Sequence, residues 1–134
     1  MTKYEFIYRS IAAIFGAVSG YLYGEWTPLI AVLVAFVIID YVSGLLAAAY
    51  VSALSSKIGF KGIAKKVMIF AIVAVSHLCD QIIGSKNIIM DATIYFYLAN
   101  ELLSILENAG RTGLPVPKQI KQLIGILKDK EGKQ

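Results

Sequence analysis

Four long apolar stretches occupy most of the chain, at residues 7–23, 28–51, 67–83 and 88–106. At a rise of 1.5 Å per residue, helices of these lengths reach about 25–36 Å, which brackets the roughly 30 Å hydrocarbon core of a bilayer. A backbone in lipid must satisfy its own hydrogen bonds, so the stretches are expected to be helical. The second, opening at Pro28, is the clearest span, and the fourth is the most polar. Charged residues make up only 16% of the chain, against about a quarter in soluble domains, too few to clothe a water-facing surface. The expected fold class is all-α: a polytopic integral membrane protein of about four transmembrane helices over residues 1–110, followed by an amphipathic tail over 111–134.

The charges between the stretches set an orientation. Lys57, Lys61, Lys65 and Lys66 cluster after the second stretch and are expected at the membrane surface; Arg111, Lys118, Lys121, Lys128, Lys130 and Lys133 follow the fourth. Lys3 and Arg9 open the first. With four spans all of these fall on one side and Lys86 on the other, so the positive-inside rule places both termini in the cytoplasm. The net charge of +4 therefore reflects topology. No basic face or DNA-reading motif accompanies it, and nucleic acid is not an expected partner.

The first stretch carries Ala12, Gly16, Gly20 and Gly24 at four-residue spacing. This makes a smooth ridge of the kind that lets helices approach closely in lipid, where packing replaces the hydrophobic effect. Gly44 and Ala48 repeat the spacing on the second stretch. Ala17-Val18-Ser19 has a faint small-x-small character, but the apolar run before it is short for a signal peptide, and a retained helix is expected. In the tail, Pro115 and Pro117 stiffen an extended segment. Ile120, Leu123, Ile124 and Leu127 then recur at i, i+3, i+4 and i+7 with lysines between them. That short amphipathic helix fits either the inner membrane surface or a neighbouring subunit.

Acids inside the apolar stretches are the residues with chemistry to explain: Asp40, Asp80, Asp91 and Glu101. An Asp at the centre of a span costs about 2.5–3.5 kcal/mol on insertion scales, so such groups must be interfacial, paired, or turned towards protein or water. Asp40, with Ser43 one turn on, lies near the middle of the second stretch. Tyr97, Glu101, Ser104 and Asn108 share one face of the fourth, and Asn100 widens it. That face reads equally as pore-lining, subunit-contacting or a buried network that fixes packing. His77 and Asp80, three apart, fit a structural pair. Cys79 rules out an intrachain disulfide framework, and His77, Cys79 and Asp80 do not share one helical face as a zinc site would require. With one histidine and no nucleophile elbow or P-loop, a non-enzyme without cofactor or metal is expected.

Four strings occur in order: Asp40-Tyr41-Val42-Ser43-Gly44-Leu45-Leu46-Ala47-Ala48, then Ser55 to Lys66, then Asn100 to Asn108, then Gly113-Leu114-Pro115-Val116-Pro117. In order and spacing they resemble the bacteriophage holins grouped with clostridial toxin-secretion holins. The resemblance runs from the second stretch to the tail, while the first stretch matches only in character. It implies a protein that assembles with copies of itself in the cytoplasmic membrane and permeabilises it, so that an endolysin or a secreted toxin can leave the cell. Asp40, Gly44, Glu101, Asn108, Pro115 and Pro117 fall on family-like positions, without individual roles attached. A holin antagonist or membrane scaffold, and a small ion-channel or transporter subunit, would share these features. Suppression of another holin would mark the first, and selective conductance the second.

Overall fold

A computed structural model of the chain describes residues 1–132, the side chains at 124 and 127–132 excepted. Five helices follow in order: α1 (Lys3–Tyr23), α2 (Pro28–Tyr50), α3 (Ser56–Ile83), α4 (Ile88–Arg111) and α5 (Lys118–Gly132), with no strand among the described residues. By length and composition, α1, α2 and α4 are each able to cross a membrane.

The helix starts follow local chemistry. Thr2 and Glu5 form a reciprocal capping box, which begins α1 four residues before its apolar stretch. Thr27 caps α2 ahead of Pro28, whose missing N–H costs nothing at the first helical position. Ser55 caps α3, so that helix begins eleven residues before its apolar segment and carries its lysines on a helical surface. At the other end of α3, Gly84 takes the left-handed conformation that glycine reaches without a Cβ penalty.

Three helices make the bundle. Asn108 of α4 reaches Asp40 and Ser43 of α2, and Gly113 lies beside Tyr50, so α2 and α4 run parallel with their C-terminal ends together. Asp80 of α3 meets Ile89 and Met90, while Lys66 meets Glu101, so α3 runs antiparallel to both. Their inward stripes form a core of Ile30, Leu33 and Val37 with Ile69, Val73, Met90 and Ile94. Tyr41 lies across Gly59 and Gly62 of α3 and donates to the Gly59 carbonyl at 3.4 Å. A Cβ at Gly62 would stand only 3.2 Å from the Tyr41 ring, so glycine there sets how closely α2 and α3 approach.

α1 stands apart. None of its residues is buried. Its attachment is through its last turn, where the Tyr23 hydroxyl donates to the Phe70 carbonyl at 2.9 Å. Just beyond, Gly24 has a φ of 71°, and a Cβ there would lie 2.8 Å from the His77 ring.

Candidate functional site

The stripe that buries Ile30, Leu33 and Val37 brings Asp40 inward one turn later, and Asp40 is 4% exposed. On α3 the stripe of Ile69 and Val73 begins one turn earlier at Lys66, whose side chain is 15% exposed. On α4 the stripe of Met90 and Ile94 continues to Glu101 and Asn108, both buried. Three helices with ordinary apolar periodicity thus converge two carboxylates and one ammonium inside the bundle.

The Lys66 ammonium lies between the two acids. It donates to both Glu101 carboxylate oxygens, at 3.0 and 2.8 Å, and to Oδ2 of Asp40. Asn108 closes the other side of Asp40, its Nδ2 donating to Asp40 Oδ1 at 3.0 Å, to the Asp40 carbonyl at 3.2 Å and to Ser43 Oγ at 3.0 Å. Ser43 in turn donates to the Asp40 carbonyl at 3.1 Å. Gly44 lies beside this contact, where a Cβ would stand 3.5 Å from Asn108 Nδ2, an ordinary packing distance. Desolvating three charges is expensive, and mutual attraction repays it only where hydrogen bonds satisfy the remaining lone pairs. Here Asn108 and both lysine–carboxylate contacts supply them.

Two open cavities flank the cluster. One, of about 510 Å³, lies between α3 and α4 and includes Tyr97, Asn100, Glu101, Ser104, Glu107 and Lys65 in its lining. A second, of about 280 Å³, reaches Asp40 from the side of Tyr41, Gly62 and Arg111. The ion cluster is therefore a short polar partition between two hollows.

The residues singled out from the sequence fall into distinct places. Asp40, Ser43, Glu101 and Asn108 are brought together in one network, and Tyr97, Asn100 and Ser104 line the larger cavity beside it. Gly44 and Ala48 lie on the face of α2 that meets α4, with Ala48 only 2% exposed. Gly16 and Gly20 have open space where a Cβ would stand, and Ala12 is exposed, so of the α1 ridge Gly24 alone makes a close contact. Lys57, Lys61 and Lys65 are exposed, whereas Lys66, grouped with them by sequence, turns inward because it sits on the Ile69–Val73 stripe. The side chains of Ile124, Leu127, Lys128 and Lys130 of the tail pattern, and the whole of Lys133, lie outside what the structure describes.

The pairing of His77 with Asp80 takes a different form. Asp80 directs its carboxylate to the start of α4, accepting from the Ile89 and Met90 amides at 3.0 and 2.8 Å and from Ser85 Oγ at 2.6 Å. These amides are orphan donors of a helix whose own cap residue, Asn87, makes no side-chain cap. His77 Nδ1 is buried with no hydrogen-bond partner, and its ring abuts Gly24. Cys79 is half-buried. Among the described residues no three His, Cys, Asp or Glu side chains are placed to hold a metal ion, and the Asp40 and Glu101 carboxylates are turned on Lys66 instead.

An all-α bundle with apolar helices of spanning length and ionic groups held inside defines a small integral membrane protein. The sequence model of the bacteriophage holin family matches residues 17–129, and the chain belongs to that family. It is 34% identical over 107 residues to the "Probable holin" of Bacillus phage phi105, covering 80% of this chain and 78% of that one. It is also 57% identical over 118 residues to an uncharacterized protein of Listeria innocua, covering 88% of this chain and 84% of that one. An uncharacterized protein of Halalkalibacterium halodurans is 46% identical over 134 residues, covering 96% and 99%. No solved structure matches the chain.

Proposed function

We propose that the chain acts as a holin, a non-enzymatic protein that assembles with copies of itself in the bacterial cytoplasmic membrane and opens it to an endolysin or a secreted toxin. The observation that carries this reading is the ion cluster: two carboxylates held in the bundle against one ammonium. In the closed arrangement Lys66 and Asn108 hide the polar groups of α2 and α4 from lipid. Assembly exchanges these partners for water. The faces bearing Asp40, Glu101, Ser104 and Asn108 then surround an aqueous opening, because a charge in the membrane is tolerated only against protein or water.

Four spans with both termini in the cytoplasm complete the proposal. Parallel α2 and α4, if both span, require the chain to return between them, and α3 is the helix that does so. The lysines that open α3, and Arg111 with the lysines that follow α4, then face the cytoplasm, in keeping with the positive-inside rule.

The test is inducible expression in a bacterium with a membrane-potential dye and a cytosolic reporter enzyme followed together. The expected result is sudden depolarisation after a delay, with reporter escaping when an endolysin is co-expressed. Asp40→Leu is expected to insert normally and to abolish permeabilisation. Full activity of that variant would remove Asp40 from the mechanism, and a steady potential with verified insertion of the unaltered chain would point to an antagonist or scaffold.

A further inference from the structure

Lysines from the start of α3 and the start of α5 gather at one end of the bundle. Tyr50 at the end of α2 meets Gly113 just past α4, and the start of α3 packs on Tyr41, so Lys57 and Lys61 lie at the same end as Arg111 and the start of α5. Lys57, Lys61, Lys65, Lys118 and Lys121 are all exposed. Residues 111–134 hold six basic side chains against Asp129 and Glu131.

α5 also presents uncovered apolar surface: Leu123 is 47% and Ile126 56% exposed. Ile120 and Leu123 begin the apolar stripe, Lys121 stands at its border and Lys118 on the polar side in the first turn, the arrangement of a helix that lies in an interface with a lysine stem along its edge. Neither property alone selects an occupant. Together they do: a surface that is both cationic and apolar at the rim of a spanning bundle is complementary to a bilayer whose headgroups are negative.

We infer that α5 docks on anionic phospholipid headgroups of the membrane the bundle spans, with its apolar stripe at the acyl boundary and Lys118 and Lys121 on phosphate. A second copy of the chain is a poorer fit, because the complementary surface at that end would carry the same lysines. Docking holds the cytoplasmic end of α4 near the membrane plane through the short Gly113–Pro117 connection, in which two prolines restrict the reach. It does not depend on lesion formation, so it stands or falls separately from the proposed function.

The experiment uses the full chain with Cys79→Ser and Leu123→Cys, labelled at position 123 with an environment-sensitive fluorophore. It is reconstituted in vesicles of phosphatidylcholine alone and of phosphatidylcholine with phosphatidylglycerol. A blue shift is expected only with phosphatidylglycerol, reversed by high salt through screening. In Lys118→Glu and Lys121→Glu the docked-to-free ratio should fall at least about fivefold for each lysine lost, the scale set by one basic side chain at an anionic surface. Equal emission in both bilayers would overturn the inference. So would a shift that follows the protein-to-lipid ratio whatever the headgroup, since that would place α5 on a second copy.

Discussion

From Ile30 to Val37 the inward stripe of α2 meets the apolar side chains of Ile69, Val73, Met90 and Ile94, beside which Ser76 and Thr93 share a hydrogen bond of 2.8 Å between α3 and α4. One turn further along, the same stripe delivers Asp40 to Lys66, Glu101 and Asn108. The helices, their directions and their spacing are shared by the two halves; only the side chains change. In lipid the apolar half gains chiefly from close packing, because most of its residues would be equally at home among acyl chains. The polar half is different. Its groups have nowhere to go but each other or water, so it holds the helices together only while all the partners are present. One half is suited to persist through a rearrangement, and the other to reverse.

The largest expected effect falls on the polar half. Lys66→Met leaves two buried carboxylates without their cation, and removing one partner of a buried ion pair costs about 3–5 kcal/mol. Loss of helical structure on detergent denaturation should therefore begin much earlier than in the unaltered protein, and an unchanged midpoint would dissolve the distinction between the halves. Next comes Leu33→Ala in the apolar half, where a fully buried side chain is truncated. About 2–5 kcal/mol is expected from the cavity left behind, read by the same denaturation, with the depolarisation that the proposed function predicts in cells still expected to occur. If Leu33→Ala instead abolished depolarisation at equal abundance, the apolar half would be part of the opening. The smallest effect is at Asp80→Ala, which removes the carboxylate that caps α4. About 1 kcal/mol is expected, with faster hydrogen exchange at the Ile89 and Met90 amides and little change elsewhere.

Much of this was legible in the sequence. Hydropathy located every helix of the bundle, and the cost of an intramembrane acid marked Asp40 and Glu101 as needing a partner. Helical spacing put Glu101 and Asn108 on one face of α4. The partner itself was missed, because Lys66 follows Lys57, Lys61 and Lys65 and a run of lysines reads as a surface. The signal was present in the register: Lys66, Ile69, Val73 and Asp80 fall at i, i+3, i+7 and i+14, whereas Lys57, Lys61 and Lys65 follow another face. The start of α1 was also legible in Thr2 and Glu5, although windowing by apolarity passed over it. What local pattern could not supply was the tertiary detail: Tyr41 lying across Gly59 and Gly62, and Asp80 reaching the start of the next helix. Both depend on how two helices meet.

The most direct measurement of the ion cluster's role is the delay before depolarisation in cells expressing two variants at matched membrane abundance. Lys66→Met keeps the acids and removes the group that closes them. The triple variant Asp40→Leu, Lys66→Met, Glu101→Leu replaces the whole cluster with apolar side chains, a change that is often neutral or stabilising in a buried site. If Lys66 holds the bundle closed and the acids line the opening, Lys66→Met depolarises earlier than the unaltered chain and the triple variant does not depolarise at all. Unchanged onset in both would contradict the mechanism and leave the cluster a matter of packing alone.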